Sequence, residues 1–184
     1  MIRPIVQLGD AVLKTKTTPL APGQIASPEI LRLVEDMKET LEASGGVGLA
    51  APQVGESVSI ILAGSFPTEH SPERPEVAVS VLVNPVIVDS SSELDVAWEG
   101  CLSFMQYRVR VERPRSIAVE YLTLGGRPAR LDASGFFARV LQHEIDHLNG
   151  ILTLDRAVGP EDVARVDEET TPATDESKGR AEHS

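Results

Sequence analysis

The chain has 184 residues, 41% hydrophobic and 24% charged, with a formal net charge of −11 and a single cysteine. That length gives one domain with a real core, and the composition is that of an ordinary soluble globular protein. The acidity argues against a nucleic-acid binder, the lone cysteine excludes an intrachain disulfide framework, and no apolar run approaches the roughly 18 residues of a membrane span.

The first residues, MIRPIVQLGD, lack the long apolar stretch of a signal peptide, so the expected location is the cytoplasm. Residues 27–46, SPEILRLVEDMKETLEASGG, predict a helix. Ser27 can cap it, Pro28 fits its first position, and Gly45-Gly46 stops it. Ile30, Leu33, Val34, Met37 and Leu41 form one apolar stripe on it. The stretches 58–63, 77–83 and 116–124 read as strands, with a Pro-rich connection over 65–76. Gly125-Gly126 signals a hairpin turn into RPARLDA.

Residues 134–150, SGFFARVLQHEIDHLNG, predict a second helix, with Ser134 as its cap and Asn149-Gly150 as its stop. Phe137, Leu141, Ile145 and Leu148 share one face; Phe136, Val140, His143 and His147 share another. Apolar groups on opposing faces make this helix central and mostly buried. Hairpin-like strands with two helices give an α+β fold. Residues 1–157 are expected to be the folded domain. Residues 158–184 are acidic and almost free of large apolar side chains, and are expected to be a disordered tail.

His143-Glu144-Ile145-Asp146-His147 has the HExxH spacing. One helical turn separates the imidazoles, so both can reach one metal ion, and Glu144 is placed to exchange a proton with a water there. The third ligand follows by elimination. Thr153 stands where a metzincin protease has its third His, and the acids after Gly150 sit at Asp155 or in the tail. His70 lies in the Pro-rich connection and His183 near the C-terminus. Cys101 remains, and two imidazoles with one thiolate leave a position open for catalysis. Gly46-Val47-Gly48 is not read as a phosphate loop: no GxGxxG and no Lys-Ser/Thr pair follows, and a helix precedes it. Close backbone approach to an extended peptide is the better reason for Gly48.

Three motifs carry a resemblance. GVGLAAPQ (residues 46–53), EGCLS (99–103) and QHEIDH (142–147), with the opening IVQLGDAVL (5–13), are similar in order and rough spacing to the peptide deformylase family. The resemblance covers about residues 1–157 and implies sheets around a central helix that carries the histidines. It implies removal of the formyl group from the N-terminal formyl-methionine of nascent bacterial or organellar chains, near the ribosome, without direct nucleic-acid or membrane binding. It favours Fe²⁺ in the cell, with Zn²⁺, Ni²⁺ or Co²⁺ as other ions the ligands accept. It assigns the Gln53 side-chain amide and the Leu102 backbone N–H to the developing oxyanion, beside Glu144 as proton carrier. Val47, Phe136 and Val140 would line the methionine pocket. Gly48, Gly100 and, at the mouth, Arg108 would also meet substrate. Glu99 and Arg113 would brace the Cys101 segment, and Trp98 reads as packing. The stretch from Phe104 to Arg113 departs from the family in lacking Gly and Pro, which bears on the strand path and the substrate rim. An HExxH metallopeptidase and a non-catalytic metal-binding module of the same fold are the competing readings. The first lacks its third His; against the second, Glu144, Gln53 and Cys101 are all present.

Overall fold

Ser27 and Gly45 bound the first long helix as their chemistry dictates. In the computed structural model, which describes residues 1–67, 72 and 74–166, the Ser27 hydroxyl accepts from the Ile30 N–H at 3.4 Å and Gly45 turns left-handed at φ 65°. A short helical turn, α1 (Pro22–Ile25), precedes this helix, α2 (Pro28–Ser44). Then come β1 (Gly48–Ala50), β2 (Ile60–Ser65), β3 (Val77–Ser90), β4 (Leu94–Gly100), β5 (Tyr107–Pro114), β6 (Ser116–Leu122) and β7 (Pro128–Ser134). The helix α3 (Gly135–Leu148) and a last strand, β8 (Val163–Arg165), complete the described chain.

The strands form two antiparallel sheets, ordered β1-β2-β3-β6-β7 and β4-β5-β8. Together with the helices this is the mixed α/β, antiparallel architecture that the sequence implies. The strand β2 explains the layering. Its side chains alternate, and both faces are apolar. Ile60 and Leu62 join the cluster of the α2 stripe, with Leu33, Val34 and Met37. Ile61 and Ala63 join Phe137, Leu141, Ile145 and Leu148 of α3. So the larger sheet has α2 against one face and α3 against the other. A third cluster, with Leu13, Cys101, Phe104, Val109 and Val111, lies beneath the smaller sheet.

Several expectations shift. Ser134 has the extended backbone of a cap, but its side chain makes no capping hydrogen bond. Gly150 does stop α3, at φ 71°, and a Cβ there would meet the Lys14 carbonyl oxygen at 2.7 Å. The atypical stretch after EGCLS still makes a regular strand: β5 pairs with β4 from Leu94↔Pro114 to Gly100↔Arg108 without a break. The boundary at residue 157 is corrected. Val163 pairs with Val109 and Arg165 with Tyr107, while the Asp162 carboxylate accepts from Arg110 Nε at 2.7 Å and from the Val158 N–H at 3.1 Å. Backbone pairing and one ion pair hold this segment, so its low apolar content does not predict its order. Residues 167–184 of the expected tail lie outside the described residues. Among the described residues no helix is long and apolar enough to cross a membrane.

Candidate metal centre

Three elements converge at one point. The strand β4 ends at Gly100 and delivers Cys101, the turn Ala51–Val54 delivers Gln53, and α3 delivers His143, Glu144 and His147. Ligand atoms of Cys101, His143 and His147 all lie within 4.8 Å of one another, and Cys101 Sγ is 3.4 Å from His147 Nε2. A tetrahedron with bonds of about 2.2 Å has edges of about 3.6 Å, so this spacing fits one ion among the three donors.

A buried charge network sets the ring of His143. Its Nδ1 lies 2.9 Å from Glu99 Oε2. Burial opposes charge on Glu99, but hydrogen bonds from Arg113 and His143 outweigh it and hold the carboxyl far below the usual carboxylate range. An ionised carboxylate only accepts, so Nδ1 carries a proton and Nε2 is the nitrogen left to face a ligand. Arg113 donates to both Glu99 oxygens, at 2.6 and 2.9 Å, and to Asp146 at 2.8 Å. Arg139 donates to Glu99 at 2.8 Å, to the Val111 carbonyl at 2.8 Å and to the Asp95 carbonyl at 2.6 Å. Arg156 binds Asp146 from the other side, with Nε donating at 2.6 Å. The Glu99–Arg113 pair is therefore buried and braces the Cys101 segment, as the resemblance implies. The contributions of Arg139, Asp146, Arg156 and Asp95 were missed. Asp146 sits inside HEIDH, and a charge on a buried face of a helix was the signal.

The two imidazoles are pushed in opposite directions. Burial works against a proton on His143, yet hydrogen bonds with Cys101 and Glu99 raise it well above its ordinary value. Burial, and then the charges of His143 and Arg113, hold His147 well below its ordinary value, in the neutral form a ligand needs. Burial also pushes Glu144 up to about 7. Its Oε2 and the Nδ1 of His147 are buried without a partner among the described residues. Gln53 Oε1 accepts from the Ala50 N–H at 2.9 Å, which turns Nε2 toward Cys101 Sγ at 3.6 Å and Ser103 Oγ at 3.3 Å.

A profile of the polypeptide deformylase family matches residues 2–163. The chain belongs to this family. It is 42% identical over 152 residues to peptide deformylase 2 of Pseudomonas putida, spanning 83% of this chain and 85% of that protein. It is 43% identical over 158 residues to the peptide deformylase of Dictyoglomus thermophilum, spanning 86% and 94%. The crystal structure of a class I type b peptide deformylase from Acinetobacter baumannii, bound to Met-Ala-Ser, superposes with a TM-score of 0.82 at 40% identity, over 85% of this chain and 98% of that one. The peptide deformylase of Ehrlichia chaffeensis gives 0.76 at 37% identity, over 85% and 88%. This deformylase is a metal-dependent hydrolase that removes the formyl group from N-terminal formyl-methionine.

One cleft of about 400 Å³ brings together Val47, Gly48, Gln53, Gly100, Cys101, Leu102, Arg108, Phe136, Val140, His143 and Glu144. His147 lies just beneath it, 1% exposed. Two readings change. A Cβ on Gly48 would overlap the Glu144 carboxylate, with Glu144 Cδ at 2.8 Å, so the bareness of Gly48 first makes room for Glu144. Trp98 is 44% exposed and lines the cleft, so it is not core packing. Arg108 lines the cleft.

Proposed function

We propose that Cys101, His143 and His147 hold one divalent ion and that Glu144, Gln53 and Leu102 carry the deformylation. The convergence of the three donor atoms beside the unpartnered Glu144 Oε2 carries this reading. A divalent ion held there would supply Lewis-acid chemistry, lowering the pKa of a water toward about 7 and offsetting negative charge that develops on the formyl oxygen. Glu144 takes the proton of the attacking water at Oε2 and delivers it to the leaving amine nitrogen, so that formate and a free methionine amine result. Gln53 Nε2 and the Leu102 N–H hold the developing negative oxygen. Leu102 opens the helical turn Leu102–Phe104, where the first N–H has no acceptor within the turn.

The methionine side chain fits between Val47, Phe136 and Val140, with Gly48 and Gly100 leaving the backbone path open and Arg108 at the mouth. The Met-Ala-Ser bound to the Acinetobacter relative begins with methionine, which supports this assignment. Fe²⁺ is the ion proposed for the cell; Zn²⁺, Ni²⁺ and Co²⁺ suit the same ligands. The substrates are nascent chains close to the ribosome, in the cytoplasm. The helix α3 acts as the central element around which both sheets assemble, and residues 1–166 form the catalytic domain.

Formate release from formyl-Met peptides, measured with metal analysis of the same sample, tests the reading. Acetyl-Met peptides should remain nearly untouched. Cleavage of internal peptide bonds at equal rate would favour the metallopeptidase alternative.

A further inference from the structure

The opening stretch IVQLGDAVL lies far in sequence from the metal centre, yet its residues 6–8 bind the two turns that carry the oxyanion donors. The Val6 N–H donates to the Gln53 carbonyl at 2.8 Å, and the Leu8 N–H donates to the Ser103 carbonyl at 2.9 Å. Between them, Gln7 Nε2 donates to the Leu102 carbonyl at 3.3 Å and to the Ile5 carbonyl at 3.1 Å. Inside the turn Leu102–Phe104 the Cys101 carbonyl accepts from the Phe104 N–H at 3.1 Å. A trans peptide points its carbonyl and its N–H in opposite directions, so this bond turns the Leu102 N–H away from the turn. The next two carbonyls, those of Leu102 and Ser103, are the ones the N-terminal stretch ties. Val6 and Val12 also pack against the cluster that contains Cys101 and Phe104.

We propose that Gln7 is a positioning residue for deformylation: its side-chain amide fixes the Leu102 peptide, and residues 6–8 strap the Leu102 turn to the Gln53 turn. The inference rests on the reading that the Leu102 N–H and Gln53 Nε2 hold the developing oxyanion. Such donors act only when their places are set before charge develops. Both belong to short helical turns, Ala51–Val54 and Leu102–Phe104, which have few hydrogen bonds of their own to hold them. The strap supplies what the turns lack. Successive residues 6, 7 and 8 are pinned to residues 53, 102 and 103, so the separation of the two donors is set by one continuous piece of backbone. Gln7 itself is exposed, so its hydrogen bonds can be removed without opening the core. Its loss leaves the Val6 and Leu8 bonds in place and frees the Leu102 peptide to rock. The oxyanion forms only along the reaction path, so the loss falls on kcat and not on KM.

The test compares side chains at position 7 by whether they donate. Gln7→Ala and Gln7→Met lack a donor, the second at nearly the parent length. Each should lower kcat for formyl-Met-Ala-Ser about three- to tenfold, the size of one hydrogen bond, with KM and metal content unchanged. Gln7→Lys keeps a donor on a long stem and should restore most of the lost kcat. Gln7→Glu, ionised and acceptor-only, should not. A second readout is independent of turnover: the Phe104 amide, bonded inside the turn, should exchange with solvent faster in Gln7→Ala than in the parent or in Gln7→Lys. Unchanged kcat in both donor-less variants overturns the proposal. So does a loss that Gln7→Lys fails to reverse, or Phe104 exchange that is the same in every variant. A raised KM at constant kcat would make Gln7 a contact with the peptide, and metal loss in step with activity would place the effect on Cys101; either result overturns the positioning role. These outcomes concern the variants alone. No formate from the parent with any formyl-Met peptide sinks the deformylase reading, and the role of Gln7 with it.

Discussion

Glu99 and His143 are joined by a 2.9 Å hydrogen bond between Oε2 and Nδ1, and the same carboxylate receives Arg113 and Arg139. One buried acid thus orients the His143 ring and shares with Asp146 and Asp95 the neutralisation of two cations. Replacing Glu99 by Ala would leave Arg113 with Asp146 and Arg139 with Asp95 as their remaining acidic partners, so the buried network would be only half neutralised. That should cost about 3–5 kcal/mol of stability, as for other broken buried ion pairs. In variants that still fold, such as Glu99→Gln, metal affinity should fall roughly 10–100-fold because the ring loses its partner. Chemical denaturation and competition with a chelator would measure the two effects separately.

Glu144→Ala should keep the metal and lose turnover. All three proposed ligands remain, while proton transfer is gone, so kcat should drop by about 10²–10⁴. Metal content near that of the parent with activity within a few-fold of it would rule Glu144 out as the proton carrier.

Gly48→Ala tests the closest approach in the site. The new methyl would occupy the place of the Glu144 carboxylate, which must shift. A displacement on the order of 1 Å can cost about 10²-fold in rate, so kcat should fall at least tenfold while metal content is preserved. An unchanged kcat would mean that Glu144 has freedom to move without loss.

The Arg110–Asp162 pair should give the C-terminal segment a pH dependence. The Arg110 hydrogen bond, then the Val158 N–H, hold the Asp162 carboxyl below its ordinary value. A depressed acid contributes stability that is full above its unfolded pKa of about 3.9 and is lost as pH falls through the lower folded value. The melting temperature of the parent should therefore exceed that of Asp162→Asn by a constant margin at neutral pH, and the margin should close in acid. A margin that does not narrow at all as the pH falls below about 3.9 would contradict the assignment.

Deleting residues 160–184 removes both Asp162 and the strand β8, and so should lower the melting temperature measurably. An unaltered melting temperature would show that β8 adds nothing to the domain.

The sequence by itself determined the chemistry of the centre. HExxH sets His143 and His147 on one face through helical period alone, with Glu144 beside them, because a helix places residues four apart on one face whatever surrounds it. The lone Cys101 followed by elimination, and the stripe of α2 through its period. These are local or combinatorial facts. The tertiary structure alone decided that Glu99, Arg113, Arg139, Asp146, Arg156 and Asp95 form one network, because no periodicity relates residues on β4, β5, α3 and the segment after it. It decided why Gly48 is glycine, since the atom that needs the room belongs to Glu144, far along the chain. It also decided that residues 163–165 are a strand. Val163-Ala164-Arg165 is too short a run to announce one, and pairing with β5 satisfies its backbone.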